Sequence, residues 1–426
     1  MPTAKYREVA LRRFLASLGP GLITGASDDD PSGISTYSIA GAGNGYSMLW
    51  VILLTTPMMA VVQGMCARIA MVSGVGLAAV MRRRLPRWIV APLGIAVIIA
   101  NTINAGADLE GMSAAAQLLF KQSNLLWIGL FGAILIFIQV RLSFRRFAAI
   151  VKWLTLALFA YVVTAFVVHP PWPLVLRRLV MPELHFDAIW LTTLVAVLGT
   201  TITPYLFFWQ AALEVEEEEQ LGRKTESERR GATRKEISEM HLDVNSGMIY
   251  SNLVAFFIIV TTAATLGAHG LHQITSAEDA ARALQPLAGR FAAWLFAFGM
   301  IGTGLLAIPA FTGSSAYILS DAFGFREGLD EKPADAPQFY AVLVLGMLVA
   351  MAMGFLRIDP IGALFWSAVI NGVVAVPLLA VIVALASDAR LMGRWASSLT
   401  ARLWGWGSVV AMALAAIGMF VFWGKS

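Results

Sequence analysis

Apolar segments of about 20 or more residues follow one another along almost the whole chain, separated by short charged connections. A helix of about 20 apolar residues crosses the roughly 30 Å hydrocarbon core of a bilayer. Charged residues make up only 14% of the chain and hydrophobic residues 58%, a composition that argues against a soluble protein. The sequence therefore predicts an all-α, multi-pass membrane protein in which residues 1–426 form one domain in the lipid bilayer.

Polar residues between the apolar runs delimit eleven candidate transmembrane spans. The spans cover residues 14–45, 48–73, 87–120, 125–140, 147–168, 187–213, 243–267, 291–322, 338–356, 360–386 and 403–423.

Lysine and arginine residues are concentrated on alternate connections between these spans. They occur at the N-terminus and within 82–87, 141–152, 214–242 and 390–402. Because such residues favour the cytoplasmic side, the pattern predicts a cytoplasmic N-terminus and an external C-terminus in a plasma membrane, most simply a bacterial inner membrane. The net charge of +4 then reflects topology, and no nucleic-acid partner is expected.

Two predicted spans contain a helix-breaking segment inside an apolar run. The first contains DDDPSG, residues 28–33, and the sixth contains GTTITPY, residues 199–205. Pro31 and Pro204 each remove a backbone donor and disfavour helical geometry at the preceding residue, so both helices should break near the bilayer midplane. Spans one and six lie five apart and run in opposite directions.

This spacing predicts two inverted five-helix repeats, residues 14–168 and 187–386, followed by one extra span at 403–423. In such an architecture the binding site forms where the two broken helices face each other.

Three consecutive carboxylates, Asp28, Asp29 and Asp30, lie at the first break, where each charge costs about 2.5 to 3.5 kcal/mol on insertion scales. One has a structural explanation, because Asp30 can cap a helix that begins at Pro31. Capping needs only one aspartate. We therefore expect at least one of the three, with Asp30 favoured, to face a bound cation. Asp28 and Asp29 either line a water-filled approach or turn toward another helix.

Further oxygen ligands are expected at both breaks. The end of a half-helix leaves carbonyl oxygens unpaired, and by position these belong near Ser27 in the first span and Thr200 in the sixth. Thr203 adds a hydroxyl group, unless this hydroxyl bonds back to its own helix. A carboxylate, carbonyls and a hydroxyl form an all-oxygen set, which suits a hard cation such as Mg²⁺ or Mn²⁺.

At these residues the chain resembles the NRAMP family of divalent metal transporters, over spans one to ten. GPGLITGASDDDPSG, which starts at Gly19, is similar to the family's GP…DPGN motif and puts Asp30 at the position of its metal-binding aspartate. ADLEGMSAAAQLLF, which starts at Ala107, resembles a DLAE-like motif of the third span, with Asp108 on its aspartate. TPY, residues 203–205, stands where the family has MPH.

Several positions depart from the family pattern. The family's asparagine ligand falls on Gly33 and its methionine ligand on Thr203, two histidines of span six fall on Tyr205 and Gln210, and a glutamate of span three falls on Asn101. Loss of the thioether removes a soft ligand that favours transition metals, and glycine in place of asparagine widens the pocket. A wide, all-oxygen pocket fits Mg²⁺, which gives up its water reluctantly.

Asn371, in the middle of span ten, either reaches the ion or its water shell or forms an interhelical hydrogen bond. The predicted metal site comprises Asp30, Ser27, Thr200, Thr203, Gly33, Asn371, Asp29, Asp28 and Tyr205.

The resemblance implies a transporter rather than an enzyme, and the departures are similar to those of NRAMP-related magnesium transporters. With titratable groups lost near the ion, transport that is not proton-driven is expected. A divalent cation gains about 4.6 kcal/mol on crossing an inside-negative potential of about 100 mV. We expect a secondary carrier that imports Mg²⁺, accepts Mn²⁺ and works by alternating access. The metal is its substrate, and no cofactor or obligate protein partner is expected.

Three alternatives stay open at this point. A proton-coupled Mn²⁺/Fe²⁺ importer is the alternative within the family. A sodium-coupled symporter of an organic solute on the same architecture is disfavoured, because three aspartates would repel a substrate carboxylate. A membrane receptor that senses the metal would keep the site without transporting the ion.

Three remaining features of the sequence also support predictions. Asp108 and Glu110 are placed toward the outer part of span three, where they either form a gating ion pair with Arg357 or are exposed interface residues. The glutamates within 214–219 are interpreted as a solvated charge run. Cys66 is the single cysteine, which excludes an internal disulfide and predicts a small, buried apolar residue.

Overall fold

The computed structural model describes residues 19–142, 156–329, 331–356 and 359–422, and all the regular structure in these ranges is helical. Helices of eight or more residues carry the architecture. They are α1 (Pro20–Asp28), α2 (Pro31–Asn44), α3 (Leu49–Ser73), α4 (Leu77–Arg84), α5 (Arg87–Phe120), α6 (Asn124–Arg141), α7 (Phe159–Val168), α8 (Trp172–Val180), α9 (Ala188–Thr201), α10 (Pro204–Gln220), α11 (Arg234–Thr265), α12 (Ala292–Phe323), α13 (Pro337–Met353), α14 (Pro360–Ser387) and α15 (Leu399–Phe422).

Within the described ranges, nine segments are long and apolar enough to cross a membrane, with α9 and α10 counted as one. The predicted first span corresponds to α1 and α2, each too short to be counted alone. The predicted fifth span ends in α7, while its start lies outside the described residues, as do the basic N-terminal cluster and Lys152. The all-helical membrane fold is confirmed. The number eleven and the inverted repeats stay predictions.

Both predicted helix breaks are present. α1 ends at Asp28, and the extended backbone of Asp30 (φ −76°, ψ 170°) precedes Pro31, the first residue of α2. α9 ends at Thr201, and the extended backbone of Thr203 (φ −93°, ψ 138°) precedes the first residue of α10, again a proline. The second half-helix of each pair therefore starts where proline is best tolerated, because its missing N–H needs no partner there.

The two broken pairs, α1 with α2 and α9 with α10, pack against each other. α9 packs against α2, and α10 packs against α1. Around them, α11 contacts α1, α2 and α3, while α14 contacts α9 and α5. This packing brings the two breaks together and buries the polar residues that lie at them.

α1 and α11 meet through glycines. A Cβ atom on Gly21 would lie 2.5 Å from the backbone nitrogen of Val244, and a Cβ on Gly25 would lie 2.4 Å from the carbonyl oxygen of Gly247. Distances this short leave no room for any side chain. The spacing of Gly21 and Gly25 is the small-xxx-small pattern that lets two membrane helices approach backbone to backbone.

The start of α1 is anchored by a carboxylate from α11. Asp243 accepts backbone hydrogen bonds from Gly19 (2.9 Å) and Leu22 (3.2 Å) on Oδ1, and from Gly21 (2.6 Å) on Oδ2. The first backbone N–H groups of a helix have no partner within the helix, so this carboxylate satisfies donors that would otherwise be buried unpaired. α1 is therefore held to α11 at its end as well as along its length.

We expect Gly25→Ala to destabilise the folded protein by at least about 3 kcal/mol, the upper part of the range for overpacked sites, because the added methyl group meets backbone atoms that cannot rotate away. The measurement is the apparent unfolding temperature of purified protein in detergent. Gly129→Ala is the matched control, because a Cβ there has no atom within 4 Å. Equal unfolding temperatures for the two variants would show that α1 and α11 separate freely.

The glutamates within 214–219 do not form a solvated run, and that interpretation is wrong. α10 continues to Gln220, and Glu214, Glu216 and Glu218 are buried. Glu216 accepts hydrogen bonds from the Tyr317 hydroxyl and from the backbone N–H of Leu329 (2.7 Å). The run is buried because α12 and the segment that follows it supply donors that the local sequence of α10 does not indicate.

The remaining expectation for the core is confirmed. Cys66 is a buried free thiol within α3, where it packs as an apolar residue of the core.

Candidate metal site at the two helix breaks

Asp30 has one carboxylate oxygen bonded and one free of partners. Its Oδ1 accepts hydrogen bonds from the backbone N–H of Gly33 (2.6 Å) and the hydroxyl of Ser32 (2.9 Å), which confirms it as the N-cap of α2. Its Oδ2 is buried and has no hydrogen-bond partner. A buried carboxylate oxygen without a partner is costly, and a bound cation would satisfy it. Capping therefore uses one oxygen of this carboxylate and leaves the other available for a cation.

Gly33 and Thr200 border Asp30 from the two broken pairs. A Cβ atom on Gly33 would lie 3.2 Å from the hydroxyl oxygen of Thr200 and 3.3 Å from Oδ1 of Asp30. The Thr200 hydroxyl is buried and has no hydrogen-bond partner. Residue 33 thus lies between a carboxylate of one break and a hydroxyl of the other, at a position where even a methyl group would be tightly packed.

Thr203 lies in the break itself. It is the N-cap residue of α10, yet its side chain makes no capping hydrogen bond, and its buried hydroxyl has no partner. The structure therefore does not have the alternative arrangement, in which the Thr203 hydroxyl bonds back to its own helix. The last hydrogen bond across the end of α9 runs from Ile202 N–H to the Leu198 carbonyl, so the following carbonyls lack a partner within the helix, as expected near Thr200.

Tyr205 joins the two breaks directly. Its hydroxyl donates a hydrogen bond to the carbonyl oxygen of Ser27 (2.7 Å), and its own carbonyl accepts from the hydroxyl of Ser314 (2.9 Å). The Ser27 carbonyl, expected to be unpaired, thus has one donor and keeps a second lone pair. The side chain at the family's histidine position ties α10 to the end of α1.

Asp28 and Asp29 turn toward α11, the second of the two alternatives. The hydroxyl of Ser251 lies between them, within hydrogen-bond distance of Oδ2 of Asp28 and of Oδ1 of Asp29 (3.1 Å). The other oxygen of each carboxylate is buried without a partner. Sequence reasoning missed Ser251, although a polar residue inside an apolar span is a signal for it.

Asp108 reaches the site from α5. Its side chain is fully buried, both carboxylate oxygens lack hydrogen-bond partners, and it lies within electrostatic reach of Asp30 near the backbone of Ser32. The interpretation of Asp108 and Glu110 as exposed interface residues is therefore wrong, since Glu110 is also buried and bonds to Asn124. Arg357, their expected partner, lies outside the described residues.

Asn371 forms an interhelical pair in this conformation. Its amide donates to Oδ1 of Asn104 (3.0 Å) and accepts from the amide of Asn104 (2.9 Å), which links α14 to α5. Of the two roles expected for Asn371, the structure has the interhelical hydrogen bond. Two other positions depart from the family pattern, and both side chains have partners. Gln210 donates a hydrogen bond to Glu214 one turn further along α10 (2.9 Å), and Asn101 donates to Ser315 of α12 (3.1 Å).

The three aspartates at the first break do not converge on one point. Within the ranges that the structure describes, no three His, Cys, Asp or Glu side chains are arranged to hold a metal ion. An ion at the breaks would therefore rely on at most two carboxylates, those of Asp30 and the nearby Asp108, together with neutral oxygens such as those of Thr200 and Thr203. That donor set is made of hard oxygen ligands.

Comparison with known protein families identifies the family of this chain. The family model described as Natural resistance-associated macrophage protein-like, Nramp, matches residues 21–422. This chain belongs to the Nramp family. The resemblance seen in the motifs around Asp30 and Asp108 is thereby confirmed over nearly the whole chain.

Curated relatives of this Nramp chain carry transporter names. The divalent metal cation transporter MntH of Klebsiella pneumoniae (strain 342) is 26% identical over 432 residues, covering 96% of this chain and 94% of the relative. The protein of the same name from Yersinia pestis (strain Pestoides F) is 28% identical over 300 residues, covering 69% of this chain and 70% of the relative. The expectation of a transporter rather than an enzyme is confirmed at the level of the family.

Solved structures support the Nramp fold. The manganese transporter of Eremococcus coleocola superposes with a TM-score of 0.76 at 18% identity, covering 98% of this chain and 88% of that one. MHP1, a nucleobase-cation-symport-1 family transporter, superposes with a TM-score of 0.57 at 14% identity, covering 95% and 90%. At these identities the likeness concerns the fold alone.

Proposed function

We propose that this Nramp chain is a secondary carrier that imports divalent metal cations through the plasma membrane, with Mg²⁺ as its main substrate and Mn²⁺ also accepted. In this proposal the ion binds at Asp30 between the two helix breaks, with the N-terminus of the chain on the cytoplasmic side. The carrier works by alternating access, and the membrane potential alone drives uptake.

The observation that carries the proposal is the set of buried oxygens without partners at the breaks. Oδ2 of Asp30, the hydroxyl of Thr200 and the hydroxyl of Thr203 come from both broken pairs, and each lacks a hydrogen bond. Buried polar atoms in folded proteins are normally paired, so a set of unpaired oxygens argues for a ligand that needs them. Carboxylate and hydroxyl oxygens suit a hard cation that keeps part of its water shell.

In the proposed mechanism each residue of the site has one role. Asp30 supplies the charge that attracts the ion, and its second oxygen keeps α2 capped while the ion binds. Thr200 and Thr203 replace water molecules of the ion, and Gly33 adds no side chain between Asp30 and Thr200 that would displace the rest. The Tyr205 hydroxyl, bonded to Ser27, keeps the two breaks in register. A rocking motion of the broken pairs against the surrounding helices would then open the site to either side.

A proton-coupled Mn²⁺/Fe²⁺ carrier is the second candidate, and one observation favours it. Asp108 keeps a titratable carboxylate close to Asp30, and neither of its oxygens has a partner. In α5 the departures replace one acidic residue of the family pattern, at Asn101, but leave the carboxylate of Asp108 in place. The names of the relatives, which include a manganese transporter, are equally compatible with this candidate.

The experiment that separates these functions is uptake by proteoliposomes loaded with Mg²⁺-sensitive and pH-sensitive dyes. An inside-negative potential is imposed by a potassium gradient with valinomycin, at equal pH on both sides. We expect Mg²⁺ to enter without internal acidification, and excess Mg²⁺ to block the entry of Mn²⁺. A proton gradient added in a second series should leave the rate of Mg²⁺ entry unchanged.

The other outcomes each point to a different function. If Mg²⁺ stays outside while Mn²⁺ enters with acidification, the protein is a proton-coupled carrier. If neither metal enters but metal still binds the purified protein, a sensing receptor is favoured. Uptake of an organic solute that requires sodium would favour the symporter alternative, which the three aspartates at the first break disfavour.

A further inference from the structure

A groove with a volume of about 460 Å³ opens between α4, α5 and α12, away from the helix breaks. Its walls are apolar and include Ile95 and Ile98 of α5 and Ile318 of α12. Ile95 is 58% exposed, whereas the ring of Phe208, which closes the groove from α10, is buried. The groove therefore opens sideways from the helix bundle, where a membrane protein faces acyl chains rather than water.

Two arginines line one end of the groove. Arg82 lies in the last turn of α4 and Arg87 is the first residue of α5, and both are exposed. Among the described residues neither arginine forms an ion pair, although the Asp321 carboxylate lies within electrostatic reach of Arg82. A positive end and an apolar channel thus belong to one continuous surface.

The other two arginines of this connection have acidic partners. Arg83 donates to both carboxylate oxygens of Glu226 (2.7 and 2.9 Å), and this guanidinium lowers the pKa of Glu226 to about 2. Arg84 lies 3.9 Å from Asp388. Two of the four arginines of 82–87 are therefore engaged with acidic residues. Arg87 lines the groove, and Arg82 lies between the groove and a neighbouring cavity that contains Asp321.

Exposed aromatic residues indicate that the arginine end of the groove lies at the level of the lipid head groups. Trp88 of α5 and Phe323 of α12 are 76% and 67% exposed, and both lie next to the arginine end. Tryptophan and other aromatic rings collect at the level of lipid head groups, where one side is apolar and the other is wet. Basic pockets between membrane helices on the cytoplasmic side are typical binding sites for anionic lipid head groups.

We propose that this groove binds one anionic phospholipid of the cytoplasmic leaflet, with an acyl chain along Ile95 and Phe208 and the phosphate head group on Arg82 and Arg87. The apolar walls favour a lipid over a free phosphate ion, which would leave them unused. The two arginines favour an anionic head group over a zwitterionic one. Phe208 belongs to α10, which begins at the second break, so the bound chain contacts a helix of the metal site.

The test is native mass spectrometry of the full-length protein purified from membranes containing phosphatidylglycerol and phosphatidylcholine. We expect one phosphatidylglycerol molecule to stay bound to the unmodified protein. In Arg82→Gln/Arg87→Gln, retention should weaken about 30-fold, equivalent to about 2 kcal/mol for two basic residues near an anionic surface. Ala91→Trp, which fills the exposed side of the groove, should reduce retention without removing a charge.

The matched control removes two positive charges elsewhere at the same end of the molecule. Arg234→Gln/Lys235→Gln changes exposed residues at the start of α11 and should retain phosphatidylglycerol as the unmodified protein does. Equal retention in the control and in Arg82→Gln/Arg87→Gln would overturn the proposal. So would equal binding of both lipids by the unmodified protein, or displacement of the lipid by millimolar inorganic phosphate. Size-exclusion profiles establish that each variant is folded, so a failure here is independent of metal transport.

Discussion

We expect Asp30→Asn to lower Mg²⁺ uptake at limiting Mg²⁺ by at least about 100-fold, because loss of one member of a buried charge pair costs about 3 to 5 kcal/mol. Asparagine is the sharpest substitution at this position. Its carbonyl oxygen still accepts the hydrogen bond from the backbone of Gly33, so the N-cap of α2 survives. Its NH₂ group replaces the oxygen that has no partner, and puts a donor where a cation would bind.

The measurement is the initial rate of Mg²⁺ entry into proteoliposomes at concentrations well below saturation. Asp187→Asn is the matched control, since Asp187 caps α9 through the backbone N–H of Trp190 (2.9 Å) and lies away from the breaks. We expect this control to transport at nearly the normal rate. If Asp30→Asn did so too, Asp30 would be a capping residue only, and the metal would bind elsewhere.

The two breaks and the cap could be predicted because they depend on local rules. Proline within an apolar run removes a donor and constrains its predecessor wherever the chain lies in space. The helix that follows needs a cap, and aspartate is among the best residues for it. Asp30, Pro31 and Pro204 therefore occupy the places expected from their types and order.

The partners across helices could not be predicted, since they depend on how helices distant in sequence are aligned. Ser251 meets Asp28 and Asp29 from more than 200 residues away in the chain. The Asn104 and Asn371 amides pair across a separation of 267 residues. A polar residue inside an apolar span signals that a partner exists, but nothing in its own segment says which helix provides it.

The burial of Asp108 beside Asp30 could not be predicted, because the length of α5 hides the position of the midplane. The helix has 34 residues, and a rise of about 1.5 Å per residue makes it about 51 Å long, well beyond the roughly 30 Å hydrocarbon core. Counting from its ends therefore does not place a residue in the membrane. Packing against α2 decides that Asp108 lies near Asp30.

Gly33→Asn/Thr203→Met tests whether the altered site residues set the preference for Mg²⁺. These substitutions restore the residue types of the family pattern at Gly33, which lies beside Asp30, and at Thr203, which lies in the second break. A thioether favours transition metals over Mg²⁺, so we expect the ratio of Mn²⁺ to Mg²⁺ uptake to rise at least about tenfold. The measurement is competition, in which each ion is offered with the other in increasing excess.

The geometry also predicts a steric component. A Cβ at residue 33 would lie 3.2 Å from the Thr200 hydroxyl and 3.4 Å from the ring of Tyr37, so a side chain there would crowd the region between Asp30 and Thr200. Gly33→Asn alone should therefore slow Mg²⁺ more than Mn²⁺, because Mg²⁺ gives up its water with greater difficulty.

Thr203→Val separates the loss of a hydroxyl from the gain of sulfur, because valine has nearly the same shape as threonine and offers no ligand. We expect this variant to weaken uptake of both ions by similar factors, while Thr203→Met changes their ratio. If Thr203→Met and Thr203→Val behaved alike, the thioether would not reach the ion, and residue 203 would act only through the shape of the break. The preference for Mg²⁺ would then depend on Gly33, and the single substitution Gly33→Asn measures that dependence.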